Sequence, residues 1–378
     1  MKNIAILVPT LNKGGAERVA ANMSLEFAKH YNVYLIVHDG RNPVYPHGGR
    51  LIDLQLPPAG NKLGKLLVFV KRIRALRRLK RQYQIDVTIS HLPASNNANI
   101  FSRAGDRVIT YVHCMETWSP VLAVREWVTA KLSDRMICVS ECVRRCMTET
   151  FHIDASKTAT VYNFCDLKAP EAAGTDSRPL TISTMGRLTE QKGQWHLIRA
   201  LRKIADHAGE AIRLKIIGEG ELREPLTRLA EKLGLGDQVE FTGFLEDPWS
   251  VLADTEIYVS SSLYEGLPMA LVEAGRCGLP IVATDCDAGC REILAPGTEI
   301  TEKTTGIEKA DYGVLVPVCS TGSMEQTELT AEEELMADAV LELIRDPELR
   351  HAYARRAEER SEDFRAEAIM KQWFEILE

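Results

Sequence analysis

Short apolar runs alternate with stretches of helical periodicity along the whole chain, and the pattern starts twice. In the first half the apolar runs cover 4–9, 33–37, 86–90, 107–112 and 135–140, and in the second half 180–185, 213–218, 239–241, 257–261, 280–284 and 313–318. Helical stretches between them include 16–30, 66–83, 119–132, 191–205 and 221–233. Strand–helix alternation predicts parallel, doubly wound sheets. The chain is therefore predicted to be an α/β protein with two such sheets.

Length and a polar stretch indicate where the domains divide. The 378 residues exceed what one ordinary core supports and suit two domains of about 150–200 residues. The polar stretch 166–179 is predicted to link a first domain, 1–165, to a second, 180–355. Residues 356–378 are predicted to form a C-terminal helix that crosses back to the first domain. Two parallel sheets also predict a cleft where their strand ends face each other.

Composition narrows the class of protein. No apolar run approaches the roughly 20 residues that span a bilayer, and the N-terminus lacks a signal-peptide pattern. Nine cysteines in a chain of this size favour free thiols in a reducing cytoplasm, and their spacing is not that of a typical metal site. Residues 1–177 carry 24 Lys and Arg against 15 Asp and Glu, a formal charge of +9, whereas 178–378 carry 22 against 38, or −16. The basic half suits an anionic partner.

Two glutamates flank a predicted strand-to-helix turn in the second half. Glu265 follows the apolar run 257–261, and a helix is predicted to begin near Met269, with Glu273 eight residues after Glu265. The N-terminus of a helix presents unpaired N–H groups and suits a phosphate, while both carboxylates could accept hydrogen bonds from ligand hydroxyls. A structural alternative is that Glu265 caps the helix and Glu273 lies on a solvated face.

Two cations follow the first strand of the second half. Arg187 comes directly after Gly186, and Lys192 precedes a predicted amphipathic helix. An Arg and a Lys beside a helix N-terminus can hold a diphosphate and stabilise charge on a departing phosphate. Taken alone, such residues are more often merely solvated.

Glycines also follow several strands. Gly218 and Gly220 lack the third glycine of the dinucleotide-binding motif, so they are weak support for a nicotinamide cofactor. The adjacent pair Gly14 and Gly15 would let the backbone approach a ligand closely, although a plain tight turn is an open alternative.

These motifs together resemble a known family. The ordered segments GGAER, GRLTEQKG, IIGEGE, FTGFLED, LYEGLPMALVEA and YGVLVP are similar to those of the retaining nucleotide-sugar glycosyltransferases of family 4. The resemblance spans nearly the whole chain and is strongest over 180–318. It implies the GT-B fold, in which two doubly wound Rossmann-like domains face a cleft, and a nucleotide diphosphate sugar as donor substrate.

The resemblance also implies roles for individual residues. Arg187 and Lys192 match the diphosphate clamp, Glu273 the ribose contact and Glu265 the carboxylate near the donor sugar. Donor-binding backbone is implied for Gly266, Leu267, Pro268, Met269 and Ala270, and a main-chain contact with the base for Leu245. In the first half, Gly15 matches a glycine loop facing the donor phosphate, and His113 matches a histidine that reaches the donor sugar, with nearby His91 as a competitor. One departure is AGCREIL, where Cys290 replaces a Gly-Pro found in many relatives.

The implied reaction retains the configuration of the transferred sugar. The acceptor hydroxyl attacks from the face that the phosphate is leaving, so Glu265 and Glu273 are not an acid/base pair of the kind that hydrolyses glycosides. Positioning and charge stabilisation supply the catalysis, and closure of the two lobes excludes water. No cofactor and no metal ion are implied, because the two cations and the helix N-terminus can balance the diphosphate charge.

A basic stretch in the first half bears on the acceptor. Residues 62–81 carry nine basic residues, no acidic one, and apolar positions at helical spacing. The helix either packs on the first sheet with a solvated basic back or docks on anionic lipid. Nucleic acid is disfavoured, since no recognition module is present.

The leading hypothesis is a transferase of cell-envelope polysaccharide synthesis. It would move a hexose or N-acetylhexosamine, with UDP as the expected nucleotide, to a glycan or lipid-linked saccharide, in the cytoplasm or on the inner face of the cytoplasmic membrane. Alternatives are a nucleotide-sugar epimerase or hydrolase on the same fold, and a binding or scaffold protein without catalytic activity.

Overall fold

The computed structural model describes residues 1–12, 14–114, 119–166, 179–287, 289–320 and 323–378. The chain divides into two compact units. Unit 1 comprises Met1–Phe164 and Ala366–Glu378, and unit 2 comprises Cys165–Arg365. Each unit is built on a seven-stranded sheet, so the α/β class and the two doubly wound sheets are confirmed. Residues 167–178, most of the expected linker, lie outside the described residues.

Unit 1 has a parallel sheet with the order β3-β2-β1-β4-β5-β6-β7. Its strands are β1 (Asn3–Val8), β2 (Asn32–Val37), β3 (Arg50–Asp53), β4 (Val87–His91), β5 (Arg107–Val112), β6 (Arg135–Cys138) and β7 (Thr158–Thr160). Its first helices are α1 (Gly15–Phe27), α2 (Lys62–Gln82), α3 (Pro93–Phe101), α4 (Pro120–Leu132) and α5 (Glu141–Arg145), followed by a π-helical turn Cys146–Thr150 and a 3-10 turn Ala155–Lys157. β1 is apolar and buried along almost its whole length, as expected of a central parallel strand covered on both faces.

Unit 2 repeats the architecture, with the order β10-β9-β8-β11-β12-β14-β13. Its strands are β8 (Leu180–Met185), β9 (Ile212–Ile217), β10 (Val239–Gly243), β11 (Ile257–Ser260), β12 (Ile281–Thr284), β13 (Glu308–Lys309) and β14 (Val314–Val316). Its helices are α6 (Gln194–His207), α7 (Arg223–Lys232), α8 (Trp249–Ala253), α9 (Met269–Arg276), α10 (Cys290–Leu294), α11 (Ala331–Arg345) and α12 (Pro347–Ser361), with 3-10 turns Glu190–Lys192 and Glu362–Phe364. The short edge strand β13 is antiparallel to β14.

The last helix belongs to unit 1. α13 (Ala366–Leu377) buries Trp373 edge-to-face against Phe27 and Tyr111, with ring centroids 5.9 and 5.7 Å apart. The sequence-based boundary at 355/356 falls inside α12, and the chain enters unit 1 again only at Ala366. The change of composition at this boundary does not end α12, because the buried face of the helix continues on both sides of it.

The first strand of each sheet lies inside the sheet, not at its edge. β1 lies between β2 and β4, and β8 lies between β9 and β11, so the strand order reverses beside the first strand of each sheet. Loops from the two neighbouring strands then leave in opposite directions and open a crevice at the carboxyl ends of the strands, where ligands of such folds bind. The predicted functional residues that follow strands therefore gather at one edge of each sheet.

Helix α2 is the predicted basic helix, and its buried residues include two of its cations. Leu63 and Leu66, which would pack inward in the alternative of an ordinary helix on the first sheet, are 69% and 58% exposed. Arg72 and Lys80 are buried instead, with the Arg72 guanidinium donating to the Leu56 carbonyl. Part of the positive charge of this helix therefore supports the fold rather than facing solvent. Within the described ranges, every helix is too short or too polar to cross a bilayer.

Candidate functional site

The loop after β8 carries the two predicted cations. Gly186 donates its N–H to the Ile217 carbonyl at 2.9 Å, and the 3-10 turn Glu190–Lys192 ends at Gly193, which has φ of +57°. A Cβ at Gly193 would lie 2.4 Å from the Ser261 carbonyl oxygen. Glycine is required here because the loop presses against the end of β11.

Lys192 and Glu265 form an ion pair across the crevice between β8 and β11, where the strand order reverses. The Lys192 Nζ lies 2.6 Å from the Glu265 Oε1, although 73 residues separate them in sequence. Their side chains are 20% and 7% exposed. The Ser262 hydroxyl donates to the same Oε1 at 2.6 Å, and Gln191 Nε2 donates to the Tyr264 carbonyl at 3.0 Å. Glu265 is thus held in one position, while its Oε2 has only a long contact of 3.5 Å with Gln191.

Arg187 is exposed at the start of the same loop. Its carbonyl accepts a hydrogen bond from Gln194 Nε2 at 2.9 Å, which fixes the backbone. Within the part of the chain that the structure describes, its guanidinium has no hydrogen bond or ion pair. The five N–H donors of this group are therefore available to an anionic ligand.

Helix α9 begins where the Gly-Leu-Pro turn predicted it. Gly266, Leu267 and Pro268 are buried, whereas Met269 and Ala270 are half-buried in the first helical turn. This end of the helix carries the positive end of the helix dipole, which favours an anion.

Glu273 lies on the buried face of α9. It is 6% exposed, so the alternative of a solvated face is wrong for this residue. Burial raises the pKa of the neighbouring Cys277 thiol to about 11, and the Glu273 carboxylate adds to the effect. Burial also raises the pKa of Tyr258, and the carboxylates of Glu273 and Glu265 contribute to that shift. Both carboxylates therefore act electrostatically on Tyr258, the second residue of β11.

Leu245 lies two residues beyond the end of β10. That strand ends at Gly243, which has φ of +77° and whose carbonyl accepts from the Gly218 N–H at 2.9 Å. Leu245 is half-buried. Since β10, β9 and β8 are adjacent and parallel, Leu245 follows the same sheet edge as Arg187.

The segment that leads into α10, whose first residue is Cys290, packs against the Glu265 loop. The Glu265 N–H donates to the Asp287 carbonyl at 3.2 Å, and a Cβ at Gly289 would lie 2.5 Å from the Pro268 Cδ. Cys290 is fully buried, with its Sγ 3.5 Å from the Cys286 Sγ. The departure from the family pattern at AGCREIL is therefore a packing position.

An Asp-x-Asp sequence lies in this loop, and both carboxylates have cationic partners. Asp285 is buried and pairs with Arg291 Nη2 at 2.6 Å, whereas Asp287 is exposed and lies 3.2 Å from Lys303 Nζ. Across the described ranges, no three His, Cys, Asp or Glu side chains are grouped so that they could hold a metal ion.

Replacing Gly218 by alanine should disturb the loop that carries Arg187. Gly218 has φ of +142°, and a Cβ there would lie 2.0 Å from the Gly186 carbonyl oxygen. We expect a loss of about 2 kcal/mol or more in the free energy of unfolding, measured with urea. The matched control is Gly278→Ala, which also has a positive φ but nothing within 4 Å of the added Cβ, and should cost less. Equal losses in the two variants would show that the contact with Gly186 is relieved easily.

Gly15 and His113 belong to unit 1, whereas the other predicted site residues belong to unit 2. Gly15 is the first residue of α1 and is exposed, and a Cβ there would meet nothing within 4 Å. A side chain would clash at Gly14 instead, where a Cβ would lie 2.0 Å from the Glu17 carboxylate in its present rotamer. No neighbouring residue therefore explains a glycine at position 15.

His113 and its competitor His91 contact each other. His91 ends β4, His113 follows β5, and their Nδ1 and Nε2 atoms are 2.8 Å apart. Burial lowers the pKa of His113 to about 3 and that of His91 well below its usual value. Both imidazoles are therefore neutral at physiological pH.

Sequence reasoning missed several residues that support the site. Ser262 and Gln191 hold Glu265 and its loop, and only the SSS run at the end of a strand could have pointed to the first. A buried cluster anchors α6: the Arg199 guanidinium and His196 Nδ1 both bond Glu333 Oε1, and Glu333 forms a capping box at the start of α11. These partners are 134 and 137 residues away, so no local pattern indicates them.

Family profiles match most of the chain in two consecutive pieces. One described as "Glycosyltransferase Family 4" matches residues 13–169, and one described as "Glycosyl transferases group 1" matches residues 167–310.

Individual proteins similar to this chain carry the same description. An uncharacterized glycosyltransferase of Methanocaldococcus jannaschii is 38% identical over 198 residues, which are 51% of this chain and 48% of that protein. An N-acetylgalactosamine-N,N'-diacetylbacillosaminyl-diphospho-undecaprenol 4-alpha-N-acetylgalactosaminyltransferase of Campylobacter jejuni is 24% identical over 96% of both chains. The amylovoran biosynthesis glycosyltransferase AmsD of Erwinia amylovora is 25% identical over the full length of both.

Solved structures show the same architecture. HepE of Anabaena, crystallised in complex with UDP, superposes with a TM-score of 0.75 at 18% identity, covering 100% of this chain and 99% of that one. At this identity the likeness concerns the fold. The two family profiles, the relatives and the paired doubly wound sheets agree, and the chain belongs to the family 4 glycosyltransferases, with the GT-B fold.

Proposed function

We propose that this protein is a retaining glycosyltransferase that moves a hexose or N-acetylhexosamine from a UDP-sugar to a glycan or lipid-linked saccharide during cell-envelope polysaccharide synthesis. The observation that carries the proposal is the Lys192–Glu265 pair, which joins a cation and a fixed carboxylate beside the N-terminus of α9. Relatives named for transfer to a diphospho-undecaprenol saccharide and for amylovoran biosynthesis support the acceptor class. A structural neighbour crystallised with UDP supports the nucleotide.

The diphosphate is assigned to Arg187, Lys192 and the first turn of α9. Lys192 has three N–H donors, of which Glu265 takes one, and the five donors of the exposed Arg187 have no partner among the described residues. Charge-assisted hydrogen bonds from both would stabilise the negative charge that develops on the leaving nucleotide. These groups balance the charge themselves, so the proposed reaction has no metal ion and no cofactor; activity undiminished by EDTA would support this.

Glu265 is assigned to the donor sugar. Its Oε1 is taken by Lys192 and Ser262, whereas its Oε2 can accept a hydrogen bond from a sugar hydroxyl. In the proposed step the acceptor oxygen bonds to the anomeric carbon as the bond from that carbon to the phosphate oxygen breaks on the same face. The acceptor proton leaves with the nucleotide diphosphate, so no protein base is needed.

The nucleoside is assigned to the neighbouring strand ends. Glu273 would accept hydrogen bonds from the ribose, and the main chain at Leu245 would contact the base. The backbone over 266–270 would line the sugar and phosphates. In unit 1, Gly15 is assigned to the donor phosphate and His113 to the donor sugar.

A thermal-shift panel tests the donor class first. UDP, GDP, ADP and several UDP-sugars are added to the purified chain, because a ligand that binds only the native state raises its apparent stability. Stabilisation by UDP and by one UDP-sugar above the others is expected, and stabilisation by GDP or ADP alone would contradict the UDP assignment.

Acceptor dependence tests the reaction. Release of UDP from the selected UDP-sugar should be much faster with a lipid-linked or glycan acceptor than without one. Equal release in both conditions would indicate hydrolysis, and conversion of the sugar without release would indicate epimerisation.

Replacing Glu273 by glutamine should weaken donor binding. The loss of a charged acceptor for the ribose hydroxyls is expected to cost about 1.5–3 kcal/mol, or roughly 10–100-fold in Kd for UDP, measured by calorimetry. The 2′- and 3′-deoxy analogues of UDP should lose less, since they lack one of the hydroxyls concerned. Glu231→Gln, on the exposed face of α7, is the control. An unchanged Kd for UDP in the Glu273 variant would remove the ribose assignment.

Helix α2 is proposed to hold the enzyme on an anionic membrane. Three leucines of its first turns (Leu63, Leu66, Leu67) are 69%, 58% and 55% exposed. Seven exposed cations are distributed along the helix (Lys62, Lys65, Lys71, Arg74, Arg77, Arg78, Arg81). Apolar side chains flanked by cations suit the boundary between headgroups and acyl chains, where each cation adds about 1 kcal/mol.

Co-sedimentation with vesicles tests this surface. The chain should bind vesicles of phosphatidylglycerol and phosphatidylethanolamine at low salt, and much less at 0.5 M NaCl or with Leu66→Glu and Leu67→Glu combined. Leu25→Ser, an exposed leucine of α1, should bind as wild type does. Equal binding by all three proteins would place the membrane contact elsewhere.

A further inference from the structure

Two histidines meet at the carboxyl edge of the sheet in unit 1. His91 is the last residue of β4 and pairs in register with Tyr111 of β5, which places His113 one residue past the end of that strand. The His91 Nδ1 and His113 Nε2 atoms are 2.8 Å apart, a hydrogen-bond distance. His91 is fully buried, whereas His113 is half-buried.

The hydrogen bond requires one imidazole to donate and the other to accept. A neutral imidazole carries its proton on one nitrogen only, so the bond couples the tautomers of the two rings. Burial keeps both rings neutral by lowering the pKa of each. The direction of the bond then decides which kind of group His113 presents on its other nitrogen, Nδ1.

The buried nitrogen of His91 decides the direction. His91 Nε2 is buried and has no hydrogen-bond partner among the described residues. A buried N–H without an acceptor is rarer in proteins than a buried lone pair without a donor. The His91 proton therefore belongs on Nδ1, which donates to His113 Nε2, and the His113 proton belongs on Nδ1.

We propose that His91 is a positioning residue that holds His113 in its Nδ1–H tautomer, so that His113 offers a neutral N–H donor to an oxygen of the donor sugar. This inference rests on the proposed function, which assigns His113 to that sugar. Among the described residues His113 Nδ1 has no partner, and so its donor is available to a ligand. A neutral donor suits a hydroxyl oxygen, which carries no charge to be paired.

The surroundings favour a fixed pair of rings. The Tyr111 ring packs against both imidazoles, with its centroid 4.6 Å from that of His113 and 5.1 Å from that of His91. Its hydroxyl donates to the Val161 carbonyl at 2.7 Å and also contacts Asn163 Oδ1 at 3.0 Å, so it is engaged away from the histidines. Tyr111 therefore holds the two imidazoles by packing, and the hydrogen bond between the rings determines their tautomers.

Histidine NMR of the full chain tests the tautomer without any substrate. With 15N-labelled histidine, long-range 1H–15N correlations distinguish Nδ1–H from Nε2–H rings, and His113→Gln and His91→Asn identify the two spin systems. We expect both rings as Nδ1–H tautomers at pH 7. An Nε2–H signal for His113 would overturn the proposal, whatever the enzyme's donor proves to be.

Two isosteric variants test the consequence for transfer. The amide of His91→Asn can donate from the place of the imidazole Nδ1, whereas the carboxylate of His91→Asp can only accept when ionised and so draws the His113 proton to Nε2. We expect kcat/KM within about threefold of wild type for Asn and about tenfold lower for Asp, the loss of one neutral hydrogen bond. The Asp variant should recover as pH falls, because an imidazolium donates from both nitrogens.

The outcomes separate this proposal from the proposed function. Equal losses for Asn and Asp, with the His113 tautomer unchanged in both, would make His91 merely structural and overturn the proposal. If no UDP-sugar is turned over by the wild type, the proposed function fails. The NMR result then still decides whether His91 sets the tautomer of His113.

Discussion

Replacing Lys192 by alanine is expected to lower kcat for sugar transfer by about 10²–10³-fold, the cost of removing one preorganised contact to developing negative charge. Arg187→Ala should act in the same direction, because both cations are assigned to the leaving diphosphate. The measurement is the initial rate of UDP release with acceptor present at saturating donor. An interaction made chiefly in the transition state lowers kcat and kcat/KM together.

The control for Lys192 is a lysine in another ion pair of the same unit. Lys203 of α6 lies 2.8 Å from Asp338 of α11, at the surface. Lys203→Ala should leave kcat unchanged. Because Lys192→Ala also removes a partner of the buried Glu265, the thermal midpoint of each variant is measured alongside. Turnover near wild type in both the Lys192 and Arg187 variants would refute the clamp, whereas unfolding would show only that the pair supports the fold.

The largest effect on stability is expected from Asp106→Ala. The Asp106 carboxylate lies 2.8 Å from the Lys80 ammonium, and both side chains are fully buried. Without Asp106 the close partner left to the buried ammonium among the described residues is Asn99 Oδ1, at 2.7 Å. We expect a loss of about 3–5 kcal/mol in the free energy of unfolding, measured with urea at pH 7, because an uncompensated buried charge is costly.

The reverse replacement should be milder. In Lys80→Met the Asp106 carboxylate still accepts from Thr88 Oγ1 at 2.7 Å and from the Ala104 N–H at 2.9 Å. An exposed pair in the same unit, Arg103–Asp134, provides the control, and Arg103→Ala should cost less than about 1 kcal/mol. If Asp106→Ala lost no more unfolding free energy than this control, the expected cost of the unpaired buried charge would be contradicted.

Raising the pH should partly rescue Asp106→Ala. Burial already lowers the pKa of Lys80, and the Asp106 charge opposes that shift. In the variant the folded-state pKa falls further below the unfolded value of about 10.4. As the pH rises, Lys80 then loses its proton in the folded state before it does so in the unfolded state. The free energy of unfolding therefore increases as the pH approaches the unfolded-state pKa of Lys80. If the loss in the free energy of unfolding of Asp106→Ala stayed constant up to pH 10, Lys80 would have found another anionic partner.

Local patterns were sufficient for much of the fold. The apolar runs at 107–112 and 180–185 form β5 and β8 within the predicted bounds, and α9 begins at Met269 as the Gly-Leu-Pro turn predicted. The short edge strands β3 and β7 were missed, since strands of four and three residues carry little periodicity.

Helix α3 was missed for a different reason. Its sequence PASNNANIF is polar, yet Asn96 and Asn99 face the core and hydrogen-bond to β4 and β5. The hydropathy of a residue does not predict its burial where polar side chains form hydrogen bonds with the backbone of buried strands. The same limit explains Arg72 and Lys80 of α2, whose buried positions could not be distinguished from solvated ones by residue type.

The sequence by itself determined the class of fold, the family and the residue types at the strand ends, because strand and helix periodicity and turn chemistry act over a few neighbouring residues. The tertiary structure alone decided which of those residues meet. Lys192 pairs with Glu265 and His91 with His113 because adjacent parallel strands bring distant segments to one edge of the sheet. Lys80 of helix α2 meets Asp106 directly before the start of β5. Sheet order sets such contacts, and it depends on the packing of the whole unit rather than on any short segment.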